Sequence, residues 1–168
     1  MANAIVKDLR AKSDAAWTNL TRQLQGMEAH MDRSDAPGQW TTRQVLAHLI
    51  AEPGWKPVDF FKKFSDHDLP VRESTPGQTS VTPERQKMSL KQFLDALDGQ
   101  RRDVLAYLEG LTEAELTQRK ARIPFLKQFL GTDEIALAMY AGLVFDRHWN
   151  DHADQLAKIR KAVGLPDA

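Results

Sequence analysis

The feature that most constrains the fold is an apolar series near the end of the chain, whose members recur at alternating steps of four and three residues. The series runs Ala138, Gly142, Phe145, Trp149, His152, Leu156, Ile159 and Val163. This spacing predicts one long helix over about residues 132–163, with a continuous seam that other helices must cover. His152 occupies a seam position, where a polar side chain needs a partner.

Helical spacing also dominates the rest of the chain. It predicts a first helix over roughly residues 3–28, and a second that begins at the capping box Thr41-Thr42-Arg43-Gln44. A third begins at the capping box Ser89-Leu90-Lys91-Gln92. No segment shows the alternation of a strand, and long connections follow the second helix (residues 65–88) and the third. These patterns predict a single all-α domain over residues 1–168, a four-helix bundle with long crossover connections.

Three histidines are candidates for holding one metal ion. His148 and His152 are four residues apart on the predicted last helix, so they share a face with Cβ atoms about 5–6 Å apart. His48 lies at the edge of the apolar stripe of the predicted second helix. Three inward imidazoles need partners, and one shared metal ion would satisfy them all while keeping positions open for chemistry. The alternative is a set of ordinary core histidines, since a His-x3-His pair often occurs by chance.

Charged residues near this cluster are candidates for further roles, and each has a plain structural alternative. Glu52, four residues after His48 on the predicted helix, is a candidate fourth ligand or general base, or else a surface carboxylate. Asp151 is a candidate catalytic or metal-supporting carboxylate, or else a solvated neighbour of the seam. Arg101 fills a seam position of the third helix, where it either contacts an anionic substrate or extends its charged end to water.

Composition disfavours several functional classes. The 23 basic and 23 acidic residues give zero formal net charge with no basic block, which disfavours nucleic acid as a partner. No cysteine is present, so disulfides, thiolate ligands and a cysteine nucleophile are excluded. No apolar run approaches the roughly 20 residues of a membrane span, and the first residues turn polar too soon for a signal peptide. We therefore expect a cytoplasmic protein with no membrane partner.

Two segments resemble the DinB-like superfamily, which is named for a DNA-damage-inducible protein. They are Trp40-Thr41-Thr42-Arg43-Gln44-Val45-Leu46-Ala47-His48-Leu49-Ile50 and His148-Trp149-Asn150-Asp151-His152-Ala153-Asp154-Gln155-Leu156. The resemblance implies a four-helix bundle with crossover topology and a metal triad of His48, His148 and His152. It also implies a divalent zinc, nickel, iron or manganese ion and a homodimer. Similar proteins include transferases of bacillithiol- or mycothiol-type thiols and a mycothiol-dependent isomerase.

The sequence therefore supports three hypotheses. The first is a divalent-metal-dependent enzyme in which a metal-activated thiol or water attacks an electrophilic small molecule, as in a thiol S-transferase or a hydrolase. The second is a metal-containing binding or stress-response module without turnover, and the third is a structural bundle without metal. The expected partner is a small-molecule substrate and, for a transferase, a low-molecular-weight thiol. Sequence chooses neither metal nor substrate, because three imidazoles accept several ions and a fold does not specify a reaction.

Overall fold

The computed structural model describes residues 3–168. Its helices are α1 Ala4–Gln23, α2 Thr42–Leu49, α3 Pro57–Phe61, α4 Pro83–Gln86, α5 Leu90–Glu109, α6 Glu113–Gln118, α7 Lys127–Leu130, α8 Leu137–Gly142 and α9 His148–Ala162. Single 3-10 turns cover Glu28–His30 and Pro124–Leu126, and a π-helical turn, Leu143–Arg147, joins α8 to α9. Strands β1 Lys120–Arg122 and β2 Glu134–Ala136 form a small antiparallel sheet.

The predicted four-helix bundle is confirmed. Helices α5 and α9 each pack against both α1 and α2, and the core between them is filled by large side chains such as Leu20, Leu97 and Trp149. Long crossovers join α2 to α5 and α5 to α8, and the shorter helices and the sheet lie within these crossovers. Among residues 3–168, none of the helices combines the length and apolar character that crossing a bilayer demands.

Capping residues set where the bundle helices begin. The Thr41 hydroxyl accepts a hydrogen bond from the Gln44 backbone N–H at 3.2 Å, and the Gln44 side-chain oxygen accepts one from the Thr41 N–H at 2.8 Å. Ser89 and Gln92 form the same reciprocal pair at the start of α5, as predicted. Such boxes satisfy amides that lack an intrahelical partner. As a result α2 begins at a defined residue and carries His48 in its last turn.

Two predictions about the approach to the last helix are wrong. Residues 134–136 form β2, with Ala136 opposite Lys120 and Glu134 opposite Arg122, so the helix begins at Leu137 and not near residue 132. The predicted absence of strands fails for the same reason. Strands of three residues are too short to show an alternating pattern, and their pairing joins segments that are distant in sequence.

The last helix also changes geometry along its length. The π-helical turn Leu143–Arg147 interrupts the α-helical hydrogen-bond pattern and ends directly before His148. A π turn closes its hydrogen bonds over five residues instead of four, so it accommodates one extra residue, and such turns often occur at functional sites. This irregular backbone therefore adjoins the first of the two histidines on α9.

Candidate metal centre

The three predicted histidines converge on one point between α2 and α9. The Nε2 atom of His148 lies 3.0 Å from Nε2 of His48 and 3.0 Å from Nε2 of His152. One ligand atom from each ring lies within 4.8 Å of the other two, and all three residues are half-buried. Zinc–nitrogen bonds are about 2.0–2.1 Å long, so nitrogen atoms at these separations can reach a single ion.

In two of these histidines the Nδ1 atom, which faces away from the cluster, already forms a hydrogen bond. His48 Nδ1 lies 2.7 Å from the backbone carbonyl oxygen of Gln78, and His152 Nδ1 lies 2.8 Å from the side-chain oxygen of Gln155. An amide oxygen only accepts, so each Nδ1 carries the proton and donates it. A neutral imidazole has one N–H, which leaves a lone pair on the Nε2 of both rings. Such contacts commonly fix the tautomer and orientation of metal-binding histidines.

Burial lowers the pKa of both histidines on α9. Desolvation, and then the positive charges that His152 and His48 would carry, lower the pKa of His148 to about 3. Desolvation also lowers the pKa of His152, against the opposing hydrogen bond with Gln155. At neutral pH the imidazole of His148 is therefore uncharged. His148 can donate at most one N–H, so at least one lone pair in the cluster lacks a donor, and a divalent cation fits this donor set.

Trp40 covers one side of the histidine cluster. Its ring system stacks on His152 with centroids 6.0 Å apart and planes 5° apart, and it packs at a tilt against His48 at 5.0 Å. The residue directly precedes the capping box, so the start of α2 fixes its position as well as that of His48. An indole in this place restricts the access of water to the Nε2 atoms from that side.

A cavity of about 580 Å³ opens beside the cluster and is lined by all three histidines. Much of its wall is aromatic: Phe61 and Tyr140 pack at 5.1 Å, and Phe61 and Phe145 at 6.2 Å. Phe125 and Phe129 contribute from the segment around α7, and Phe129 is 64% exposed at the rim. This size and lining are typical of sites for small organic molecules.

Both candidate catalytic carboxylates line this cavity and are exposed. Asp151 lies on α9, as predicted. Glu52 lies outside α2, which ends at Leu49, so the argument that it shares a helix face with His48 is wrong. The helix stops because Ile50 adopts an extended conformation (φ −77°, ψ 143°), and Pro53 disfavours helical geometry at the residue before it. Glu52 reaches the cavity from the following turn.

Arg101 is not part of the site. Its buried guanidinium pairs with Asp14 and with Asp98, the latter at 2.9 Å, and it does not line the cavity. Of the two alternatives in the sequence, the contact with an anionic substrate is therefore wrong. The charge is not extended to free water either, because two carboxylates neutralise it at the edge of the bundle.

Sequence reasoning missed several residues that shape the site. Gln155 was detectable, since its spacing of three from His152 places both on one helix face. The Gln78 contribution is a backbone carbonyl in the long connection, which no residue pattern reveals. The same connection also supplies Arg72 and Ser80 to the cavity wall, as expected for a long loop that serves a site.

Comparisons with known proteins agree with this architecture. A family model for the DinB superfamily matches residues 4–141, a span that contains His48 and ends before His148 and His152. A solved structure, described as "YfiT from Bacillus subtilis is a probable metal-dependent hydrolase with an unusual four-helix bundle topology", superposes with a TM-score of 0.63. The two chains are 18% identical, and the match covers 99% of this chain and 91% of the other, which supports a shared fold. No curated protein matches this chain.

Proposed function

This chain belongs to the DinB superfamily, and we propose that it is a metal-dependent enzyme whose divalent ion is held by His48, His148 and His152. One observation carries the proposal: three Nε2 atoms meet at the wall of a cavity, with the Nδ1 protons of His48 and His152 donated elsewhere. Zinc, nickel, iron and manganese all suit imidazole ligands, so the donor set alone does not select the ion.

The ion, when bound by three protein ligands, would supply Lewis-acid chemistry, lowering the pKa of a water or thiol and polarising an electrophile at its open positions. Gln78 and Gln155 orient the rings of His48 and His152, and Trp40 shields one side of the cluster. We assign proton transfer to Glu52 or Asp151, because both carboxylates line the cavity. An exposed carboxylate exchanges protons readily with water, which suits a group that must be restored after each turnover.

Hydrolysis of a small molecule is the leading reaction in this proposal. It is supported by the fold shared with YfiT, itself described as a probable metal-dependent hydrolase. Thiol S-transfer is the second candidate, because a cavity of about 580 Å³ has room for a low-molecular-weight thiol together with an electrophile. The chain has no cysteine, so the thiol would come from a cosubstrate.

Elemental analysis tests the metal site directly. Protein purified without a tag or chelator should contain about one divalent ion per chain, and His152→Ala should lose it. His67→Ala is the matched control, because His67 is exposed and pairs with Asp66 away from the cluster. Full occupancy in His152→Ala, or no metal in the wild type even after incubation with zinc, nickel and manganese, contradicts the triad assignment.

An activity screen separates the two reactions. Small esters, amides and electrophiles are incubated with the wild type and with His152→Ala, in the presence and absence of a low-molecular-weight thiol. Product formation without thiol in the wild type alone supports hydrolysis, and a thiol adduct supports transfer. Stoichiometric metal with neither product supports the alternative of a binding or stress-response module. The proposed homodimer is tested separately by light scattering.

A further inference from the structure

Arg72 is a cation in the cavity wall without an acidic partner. Its guanidinium carbon lies 4.0 Å from the ring centroid of Trp55 and 5.6 Å from that of Phe60, and its Nη1 donates to the Tyr140 hydroxyl at 2.7 Å. Across residues 3–168, no carboxylate lies within 4.0 Å of its nitrogen atoms. Arg101, by contrast, forms ion pairs with two carboxylates.

The backbone holds Arg72 in place although it lies in an irregular connection. Its N–H donates to the Arg122 carbonyl at 2.9 Å, and the Arg122 N–H donates to the Pro70 carbonyl at 2.8 Å. Val71 and Arg122 thus form a parallel bridge that fastens this segment to β1. The guanidinium is therefore carried by a fixed backbone, which reduces the conformational entropy lost on binding a ligand.

Several N–H groups of Arg72 remain available to a ligand. A guanidinium has five N–H donors in a planar fork. Among residues 3–168, the side chain of Arg72 makes one hydrogen bond, the one to the Tyr140 hydroxyl. Tyr140 is buried against Phe60 and Phe61. Its hydroxyl accepts from Arg72, so its own proton is free to be donated. Arg72 and Tyr140 line the same cavity as the three histidines.

We infer that Arg72, stacked on the ring of Trp55, and Tyr140 bind the carboxylate of a substrate whose apolar body fills the cavity towards the histidine cluster. A planar fork of N–H donors beside one hydroxyl matches the two oxygens of a carboxylate. The aromatic walls match an apolar or aromatic body. Glu52, Asp151 and Arg147 also line the cavity, but the two carboxylates do not contact Arg72, and Arg147 is exposed. This inference deepens the proposed function by naming the substrate class.

A matched pair of probes tests the inference without turnover. 1-Naphthylacetate and its neutral isostere 1-naphthylacetamide differ in charge and little else, and isothermal titration calorimetry at pH 7 measures both affinities. We expect the wild type to prefer the acid at least 10-fold, in line with charge-assisted hydrogen bonds. Arg72→Gln should reduce the preference to about 1 without changing the affinity for the amide. Tyr140→Phe, which keeps the ring, should weaken the acid alone by several-fold.

Two further variants test whether the carboxylate binds elsewhere in the cavity. Arg147→Gln removes the second arginine of the cavity, and His152→Ala disables the proposed metal site; both should keep the preference for the acid. A preference that survives Arg72→Gln, or disappears in Arg147→Gln or His152→Ala, overturns the inference, as does the absence of binding or preference in the wild type. Absence of metal or of turnover would refute the proposed function, whereas loss of the preference for the acid would refute the carboxylate site. The two failures are therefore distinguishable.

Discussion

Arg85 is expected to position His48 for metal binding, and Arg85→Met should expose this role. The buried guanidinium donates to the carbonyl oxygens of Ala47 at 3.2 Å, Ser80 at 3.0 Å and Ala51. Ser80 has a positive φ of 51°, a conformation that costs a non-glycine residue about 1–3 kcal/mol and must be held by its surroundings. Two residues before it, the Gln78 carbonyl accepts the Nδ1 proton of His48. Arg85 therefore supports the backbone that orients this imidazole.

The magnitudes follow from the contacts that are lost. Three hydrogen bonds at about 1 kcal/mol each give a loss of about 3 kcal/mol in the free energy of unfolding. Loss of an outer contact to a metal-binding histidine typically weakens metal affinity by about 10-fold or more. Urea unfolding of the metal-free protein measures the first quantity, and competition for zinc with a chromophoric chelator measures the second.

Arg160→Met is the matched control for this experiment. Arg160 is 7% exposed, against 9% for Arg85, and its guanidinium likewise donates to three backbone carbonyls, those of Pro166, Gln23 and Gln25. It should lose similar stability and keep its zinc affinity, because none of those carbonyls contacts the cluster. If both variants lose zinc affinity equally, or if Arg85→Met binds zinc like the wild type, the positioning role is refuted.

Three other outcomes are expected. Gln155→Leu should weaken zinc binding about 10- to 100-fold, because the acceptor of the His152 Nδ1 proton is lost, and unchanged affinity would contradict the assigned tautomer. Zinc at about 100 times its dissociation constant should stabilise the wild type by about 2.7 kcal/mol, seen as a higher melting temperature that is absent in His152→Ala. Burial raises the pKa of the Tyr140 hydroxyl above its ordinary value of 10.0. The protonated hydroxyl therefore contributes fully to the free energy of unfolding below pH 10.0, and this contribution is lost as pH rises through the raised pKa. Tyr140→Phe should lose less stability on alkaline titration than the wild type, and equal losses would contradict the assignment.

Short-range patterns were sufficient to predict the bundle. The capping boxes at Thr41 and Ser89 fix the starts of α2 and α5, and the spacing of His148 and His152 places both rings on one face. The pairing of β1 with β2 was not predictable, since it joins Lys120 to Ala136 through contacts that neither segment encodes alone. The role of Arg72 was not predictable either, because it depends on contacts with Tyr140 and Trp55 that are distant in sequence or irregular in spacing.

The π-helical turn before His148 links the site to changes in chain length. One residue corresponds to about 100° of rotation along an α-helix. The π turn already accommodates one extra residue, so deleting a residue within 143–147 would convert it to regular helix and leave α8 nearly in phase with His148 and His152. A deletion in the regular part of α9, between His148 and His152, would instead move one ring away from the other by about that angle. Deleting Val144 tests the idea: helical content and zinc binding should both persist, and loss of zinc binding would contradict it.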